Sequence, residues 1–286
     1  MKSSVARHEV FDYTNPPFTF RELYSDETGP YIFEPHWHEE LEIVYTLKGT
    51  NCHYINGRCY DAVPGRLLTV NSEFVHNIFT DPTLRSTREV AGFLVVISKD
   101  FLDDNFPQHR ELYFTNTKKQ ASEKTVHCLQ KIMEFHARPQ QDEYDFLFAK
   151  SLVLELLYQM CRNEGVVKRK DVDQVNSLKN IERIKGILTY VDENYMEPLS
   201  LTQVAKRFHY SPAYFASSFK KCTGLTFMEF VTNYRVEKAR IALMHTEKSV
   251  AEIAVENGFF DDRRLILAFK KKYGTTPLQY RKAQKG

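Results

Sequence analysis

One stretch of this chain is written twice. Between residues 200 and 282 a short helix, a turn of three or four residues and a second helix recur at an offset of 49 to 50 positions. Ala205 pairs with Ala254, and one residue is added in the second turn. Phe219-Lys220-Lys221 pairs with Phe269-Lys270-Lys271, Gly224 with Gly274, Thr226 with Thr276 and Phe230 with Tyr280. The punctuation repeats as well. Ser200 and Gln203 form a capping box that opens a short helix to Phe208, and Ser211-Pro212 supplies an N-cap followed by proline at the first helical position. Thr226 and Glu229 start a long helix to about Met244, Ser249 and Glu252 start one that stops at Gly258, and a last helix runs from about Asp262 to Tyr273. Alanines at 205 and 254 let two helices approach closely, while Phe215 with Phe219, and Leu265 with Phe269, stand four apart and anchor each second helix to its core. A generic bundle accounts for either unit but not for two copies at nearly constant spacing. Residues 180–286 therefore read as an all-α domain with two helix-turn-helix units.

Charge divides along the same line. The net charge of +2 conceals 20 Lys/Arg against 26 Asp/Glu in residues 1–176, and 19 against 11 in residues 177–286. From Arg263 to Lys285 there are eight basic residues and no acidic one. A basic tail half joined to an acidic front half suits a module that meets a polyanion, attached to something else.

The stretches SLTQVAKRFHYSPAYFASSFKKCTGLTFMEFVTNYRVEKARIAL and SVAEIAVENGFFDDRRLILAFKKKYGTTPLQYR resemble the AraC/XylS family of transcriptional regulators over about residues 181–282. The resemblance implies two units bridged by the long helix, here about 227–244, entering successive major grooves on one face of double-stranded DNA. With Phe215 and Phe219 inward, Ala213, Ala216, Ser217 and Lys220 face outward; with Leu265 and Phe269 inward, Asp262, Arg263, Ile266, Leu267 and Lys270 do. Alanine, isoleucine and leucine can touch a thymine methyl, serine can read either edge, and arginine can grip guanine. Ser211 at a helix N-terminus, with Lys221 and Lys271, suits phosphates. The chain departs from the family at His209, where a small turn residue is common, and at Arg263-Arg264-Leu265, which replaces a small-Tyr-Phe run. It departs again at Leu267, where a polar or basic reader often stands, which leaves the second unit's base preference open.

The first half has another rhythm. Segments 41–49, 52–57, 66–71 and 89–97 are rich in β-branched and aromatic residues and separated by Gly, Pro, Asn or Asp, which favours an antiparallel barrel or sandwich. Segments 121–138 and 146–161 then turn to helical spacing, the second apolar enough to need cover on more than one side, from the barrel or from a second subunit. The expected architecture is mixed α and β in two domains. Residues 1–164 form an effector-sensing and dimerising cupin-like barrel with helices, 165–179 a polar, locally basic linker, and 180–286 the DNA-binding domain.

Within HWHEELEIVYTLKG, His36 and His38 share a strand face, Glu42 follows on the next strand, and His76 arrives in NSEFVHN. The combination resembles the cupin metal pattern, and three imidazoles with one carboxylate can hold a divalent transition ion. The family resemblance points instead to a metal-free effector pocket, with a small polar molecule such as a sugar as the first guess and Trp37, Tyr45 and Tyr54 as candidate walls. The reading is thus an effector-controlled, sequence-specific activator or repressor acting as a homodimer, with RNA polymerase a possible partner and no cofactor. A metal-dependent cupin enzyme, or a DNA-binding protein without effector control, stays open. Against an enzyme, no GxGxxG, GxSxG or P-loop is present. The N-terminus lacks the apolar core of a signal peptide and no run suits a membrane span, so the expected place is the cytoplasm. Cys52, Cys59, Cys128, Cys161 and Cys222 are odd in number, with no CxxC, and read as buried free thiols.

Overall fold

The computed structural model describes residues 17–24, 32–80, 89–139, 142–172 and 177–285. Eight strands come first: β1 Phe18–Tyr24, β2 Ile32–His36, β3 Leu41–Thr46, β4 Asn51–Ile55, β5 Arg58–Ala62, β6 Leu67–Val70, β7 His76–Phe79 and β8 Val90–Ile97. They form two antiparallel four-stranded sheets, ordered β1-β8-β3-β6 and β2-β7-β4-β5. The tightest connection, Asn56-Gly57 between β4 and β5, takes positive φ at both residues (51° and 80°), as a two-residue hairpin requires.

Strand β3 shows why the sheets stack. All six of its residues are buried, although Glu42 is charged. The pleat sends Leu41, Ile43 and Tyr45 to one side, where they join Phe93 and Val95 under two helices, α2 (Glu123–His136) and α3 (Asp145–Asn163). Leu129, Ile132, Leu152 and Leu156 complete that core. The opposite face meets the second sheet, with Leu68 and Val70 against Ile55 and Ala62.

A short helix α1 (Lys99–Asn105) leads to β9 (Leu112–Phe114), which pairs with β10 (Val166–Lys168). Two buried amides stitch this ribbon to the first sheet: Asn71 exchanges hydrogen bonds with the Phe114 backbone at 2.8 and 2.9 Å, and Asn116 does the same with Thr69. The stretch after residue 165 thus begins as a paired strand and continues as one helical turn, α4 (Arg169–Val172).

The remainder is helical: α5 Ser177–Asn194, α6 Leu201–Arg207, α7 Pro212–Thr223, α8 Phe227–His245, α9 Val250–Glu256, α10 Asp262–Tyr273 and α11 Pro277–Lys285. The N-cap residues fall where the sequence puts them, but the expected Ser200/Gln203 box is only half made, the Gln203 side chain bonding the Ser200 hydroxyl rather than its backbone N–H. Ser200, Ser211, Thr226 and Ser249 accept from backbone N–H groups three residues on, and Thr226/Glu229 and Ser249/Glu252 close full capping boxes. Gly224 and Gly274 end their helices at φ 73°, in the left-handed region. Ala205, Ala254, Phe215, Phe219, Leu265 and Phe269 are all buried. The two cores stay distinct: Phe215, Phe219, Phe227 and Phe230 with α5 residues Ile184, Ile187, Leu188 and Val191, and Leu265, Phe269, Tyr273 and Tyr280 with Val236, Ala239 and Leu243.

One expectation is corrected. Cys52 and Cys59 are not buried free thiols; they pair as a disulfide across the β4–β5 hairpin, while Cys128, Cys161 and Cys222 remain free. The hairpin brings them into diagonal contact, since Cys52 lies opposite Asp61 and Cys59 opposite Tyr54.

Candidate functional site

The fold gathers the four residues singled out by spacing. His36 ends β2, His38 follows it, His76 opens β7 and Glu42 projects from β3 on the opposite sheet. The His36 and His76 rings lie 4.0 Å apart, and the His38 and His76 rings 4.9 Å. Glu42 Oε2 lies 3.3 Å from His38 Nε2 and 3.7 Å from His76 Nε2. His38, Glu42 and His76 are buried and His36 is half-buried. Burial, with the neighbouring His76 and His38, pushes His36 down to about 3, so its ring is neutral near pH 7. Burial alone would raise Glu42, but hydrogen bonds and charge from His38 and His76 outweigh it and hold the carboxyl well below the usual carboxylate range. His53 on β4, also buried, is pushed down to about 4 by the same loss of water.

The three aromatic candidates do not wall this cluster. Tyr45 lies in the core under α2 and α3, on the opposite pleat from Glu42. Trp37 and Tyr54 face the helical domain: Trp37 packs on the first helix-turn-helix core with Lys185 Nζ 4.3 Å from its ring centroid, and Tyr54 lies against Gly224. Strand alternation placed them outside, where a second domain covers them.

That cover joins the domains and was not read from the sequence. Val75 is fully buried within the core of the first helix-turn-helix unit. Lys185 donates to Glu182 at 3.1 Å and to Glu73 at 3.5 Å. Lys272, third of the lysine run, is buried; its Nζ donates to Glu34 on β2 at 2.9 Å and to the Asn233 carbonyl at 3.2 Å. Burial raises Glu34 to about 7 even with Lys272 opposing it. The signal for Lys272 was only its helical phase, three residues after buried Phe269.

The outward residues of α7 and α10 stay open. Ser211, Ala213, Ser217, Lys220 and Lys221 are exposed and Ala216 half-buried; Arg263, Leu267, Lys270 and Lys271 are exposed, Asp262 and Ile266 half-buried. Tyr214 on the same face of α7, and Phe260 with Arg264 stacked over it, are exposed neighbours that the sequence reading missed. On α8, Arg235 instead holds the Tyr195 and Glu197 carbonyls at 2.7 Å, and Arg240 pairs with Glu237.

Two family descriptions match this chain: "AraC-like ligand binding domain" over residues 22–157 and "Helix-turn-helix domain" over residues 204–283. The chain belongs to the AraC family of DNA-binding transcriptional regulators and carries a ligand-binding domain ahead of its helix-turn-helix domain. It is homologous to the HTH-type transcriptional activator RhaS of Escherichia coli strain SE11, 24% identical over 263 residues and 89% of each chain. Among solved structures, the DNA-binding domain of AdpA in complex with a target DNA is 25% identical, covering 36% of this chain and 93% of that one (TM-score 0.35). ToxT from Vibrio cholerae is 14% identical, covering 93% and 97% (TM-score 0.46).

Proposed function

We propose that this regulator reads a specific DNA site with the outward faces of α7 and α10, and that a small polar effector in the pocket of His36, His38, Glu42 and His76 controls it. The observation that carries this is the separation of roles: exposed cationic helix faces in one domain and a buried, convergent polar cluster in the other. Arg263 is the base-edge donor, Ala213, Ala216, Ser217, Ile266 and Leu267 read bases by contact, and Ser211, Lys220, Lys221, Lys270 and Lys271 meet phosphates. Imidazole and carboxylate groups suit hydroxyls, and a sugar is the effector class we favour.

A homodimer fits the surface of α3. Tyr144, Leu147 and Tyr158 are exposed by 67%, 65% and 59%, an apolar stripe at helical spacing. Two chains raise avidity without new contacts. The relative's name makes activation the expected outcome, with RNA polymerase as a further partner. The place is the cytoplasm; among the described residues no helix is long and apolar enough to cross a membrane. Catalysis is not part of this reading.

Footprinting the full chain tests it. Two units reading successive grooves should protect roughly 20 base pairs per chain. Protection of random DNA with equal affinity at physiological salt would sink the specific-regulator reading. A ligand that raises the melting point yet leaves DNA affinity unchanged would sink effector control, because equal affinity for both states shifts nothing.

A further inference from the structure

The second helix-turn-helix unit has one residue more than the first, and the structure shows which. Tyr210 and Phe259 are counterparts, each donating its backbone N–H to the carbonyl of the matching alanine, Ala205 at 2.8 Å and Ala254 at 3.0 Å. Ser211 and Asp261 are counterparts as the N-caps of α7 and α10. The extra residue is therefore Phe260. In the first unit Tyr210, just ahead of the cap, is half-buried with its ring 6.5 Å from Phe215, the arrangement of a hydrophobic staple. In the second unit Phe259 is buried in the core, and Phe260, 83% exposed, stands outside it. The packing of its own domain gives no reason for a large ring in water at the start of α10.

The Arg264 guanidinium lies over that ring, 5.5 Å from its centroid, and is itself exposed. The Asp261 carboxylate is taken up as the cap, accepting from the Arg264 backbone N–H at 2.8 Å. Seven residues make almost two turns of α-helix, so Arg264 stands on the flank of α10 that carries Lys271, and Arg263 on the flank of Lys270, with Leu267 between them. We propose that Phe260 and Arg264 form one composite contact to the DNA backbone. Arg264 grips a phosphate, and Phe260 is the positioning residue that holds the guanidinium flat at the edge of the groove. A planar fork suits phosphate oxygens, and stacking on a ring leaves its in-plane N–H donors free. Holding the side chain in place beforehand also spares part of the ordering cost of binding. The proposal rests on the reading of α10 as a DNA-contacting helix and adds to it two residues that carry no base preference. At the position matching Arg264 the first unit has the uncharged Tyr214, so the contact is particular to the second.

The test uses the full chain and titrates binding to the footprinted site and to random duplex over a range of salt. Arg264→Ala should lower the salt slope by about one, the signature of one lost phosphate contact. Phe260→Ala should weaken both duplexes roughly two- to fivefold, the scale of an exposed cation–π contact. Phe260→Tyr should restore wild-type affinity, and Phe260→Ala should add no further loss once Arg264 is alanine. Because the ring is exposed, its removal should leave the urea midpoint unchanged. An unchanged slope in Arg264→Ala overturns the proposal. If Lys271→Ala lowers the slope in the same series, the reading of α10 stands; if neither variant does, both fall. Losses from Phe260→Ala and Arg264→Ala that multiply overturn the positioning role, since the ring then touches DNA on its own. A loss confined to the footprinted site overturns it too, and makes Phe260 a base reader through a thymine methyl. Unchanged DNA binding by Phe260→Ala overturns it outright, and a fall in transcription by added RNA polymerase in that variant would assign the ring to a protein partner instead.

Discussion

The two helix-turn-helix units share a plan and differ in surroundings. In the first, the α7 core takes in Val75 from the sensor, with Trp37 and Phe79 packed against it, and the glycine after α7 sits under Tyr54 and Phe79. In the second, the α10 core is made from residues after 235, and a buried ion pair, Lys272 to Glu34, ties it to the sensor. Repetition in sequence fixes caps, cores and turns; it does not fix what a unit leans on. The first is held by apolar area and the second by charge, which respond differently to substitution.

The largest expected effect breaks the second anchor. Lys272→Met strands a buried carboxylate and should cost about 3 kcal/mol in urea unfolding, at the low end for a buried pair because Glu34 can take up a proton. Its neighbour Lys271→Met should stay within about 0.5 kcal/mol. A Glu34→Leu/Lys272→Met double variant should recover most of the loss, since apolar replacement of both partners is often neutral; no recovery would mean the pair does more than neutralise itself.

Glycine substitution sharpens the same contrast. Gly224 and Gly274 both adopt φ 73°, so alanine at either should cost roughly 1–2 kcal/mol. At Gly224 a Cβ would also stand 2.8 Å from the Tyr54 ring, whereas Gly274 is exposed. Gly224→Ala should therefore be the more damaging by about 1 kcal/mol, the scale of a modest overpacking. Equal losses would show that the sensor gives way freely there.

On DNA the units should also part. Arg263→Ala should cost roughly 1–3 kcal/mol on the preferred site and relax preference at one base pair. Lys271→Ala should weaken all sequences alike and lower the salt slope by about one. Titrations on specific and random duplexes in parallel separate the two. The smallest effect lies in the turns, where His209 adopts φ 58° and its counterpart Gly258 φ 77°. His209→Gly should change stability by less than about 1 kcal/mol, in the stabilising direction, by removing a left-handed side-chain penalty.

What was legible follows interaction range. Caps, helix ends and the Ala205/Ala254 and Phe215/Phe219 positions depend on residues a few places apart, and all fell where the sequence put them. His36, His38, Glu42 and His76 could be grouped because strand alternation and family spacing agree. Trp37 and Tyr54 were misplaced because the pleat says only which side a residue takes, not whether a pocket or another domain waits there. Lys272 was hidden among three lysines, since helical phase turns it inward but its nearest charge partner, Glu34, lies 238 positions away. The Cys52–Cys59 pair was missed because an odd, scattered count is no guide to what one tight hairpin brings side by side.

Val75 has a consequence for the order of manufacture. The sensor strands leave the ribosome before the helices they brace, and domains generally fold as units in that order. Until α5, α7 and α8 arrive, Val75 lines a hydrophobic seat with nothing on it, together with Trp37 and Phe79. The finished sensor is then a mould for half of the first helix-turn-helix core, and a newborn chain halted before residue 177 would carry that apolar patch uncovered. Truncations ending there should be the most aggregation-prone products of this gene.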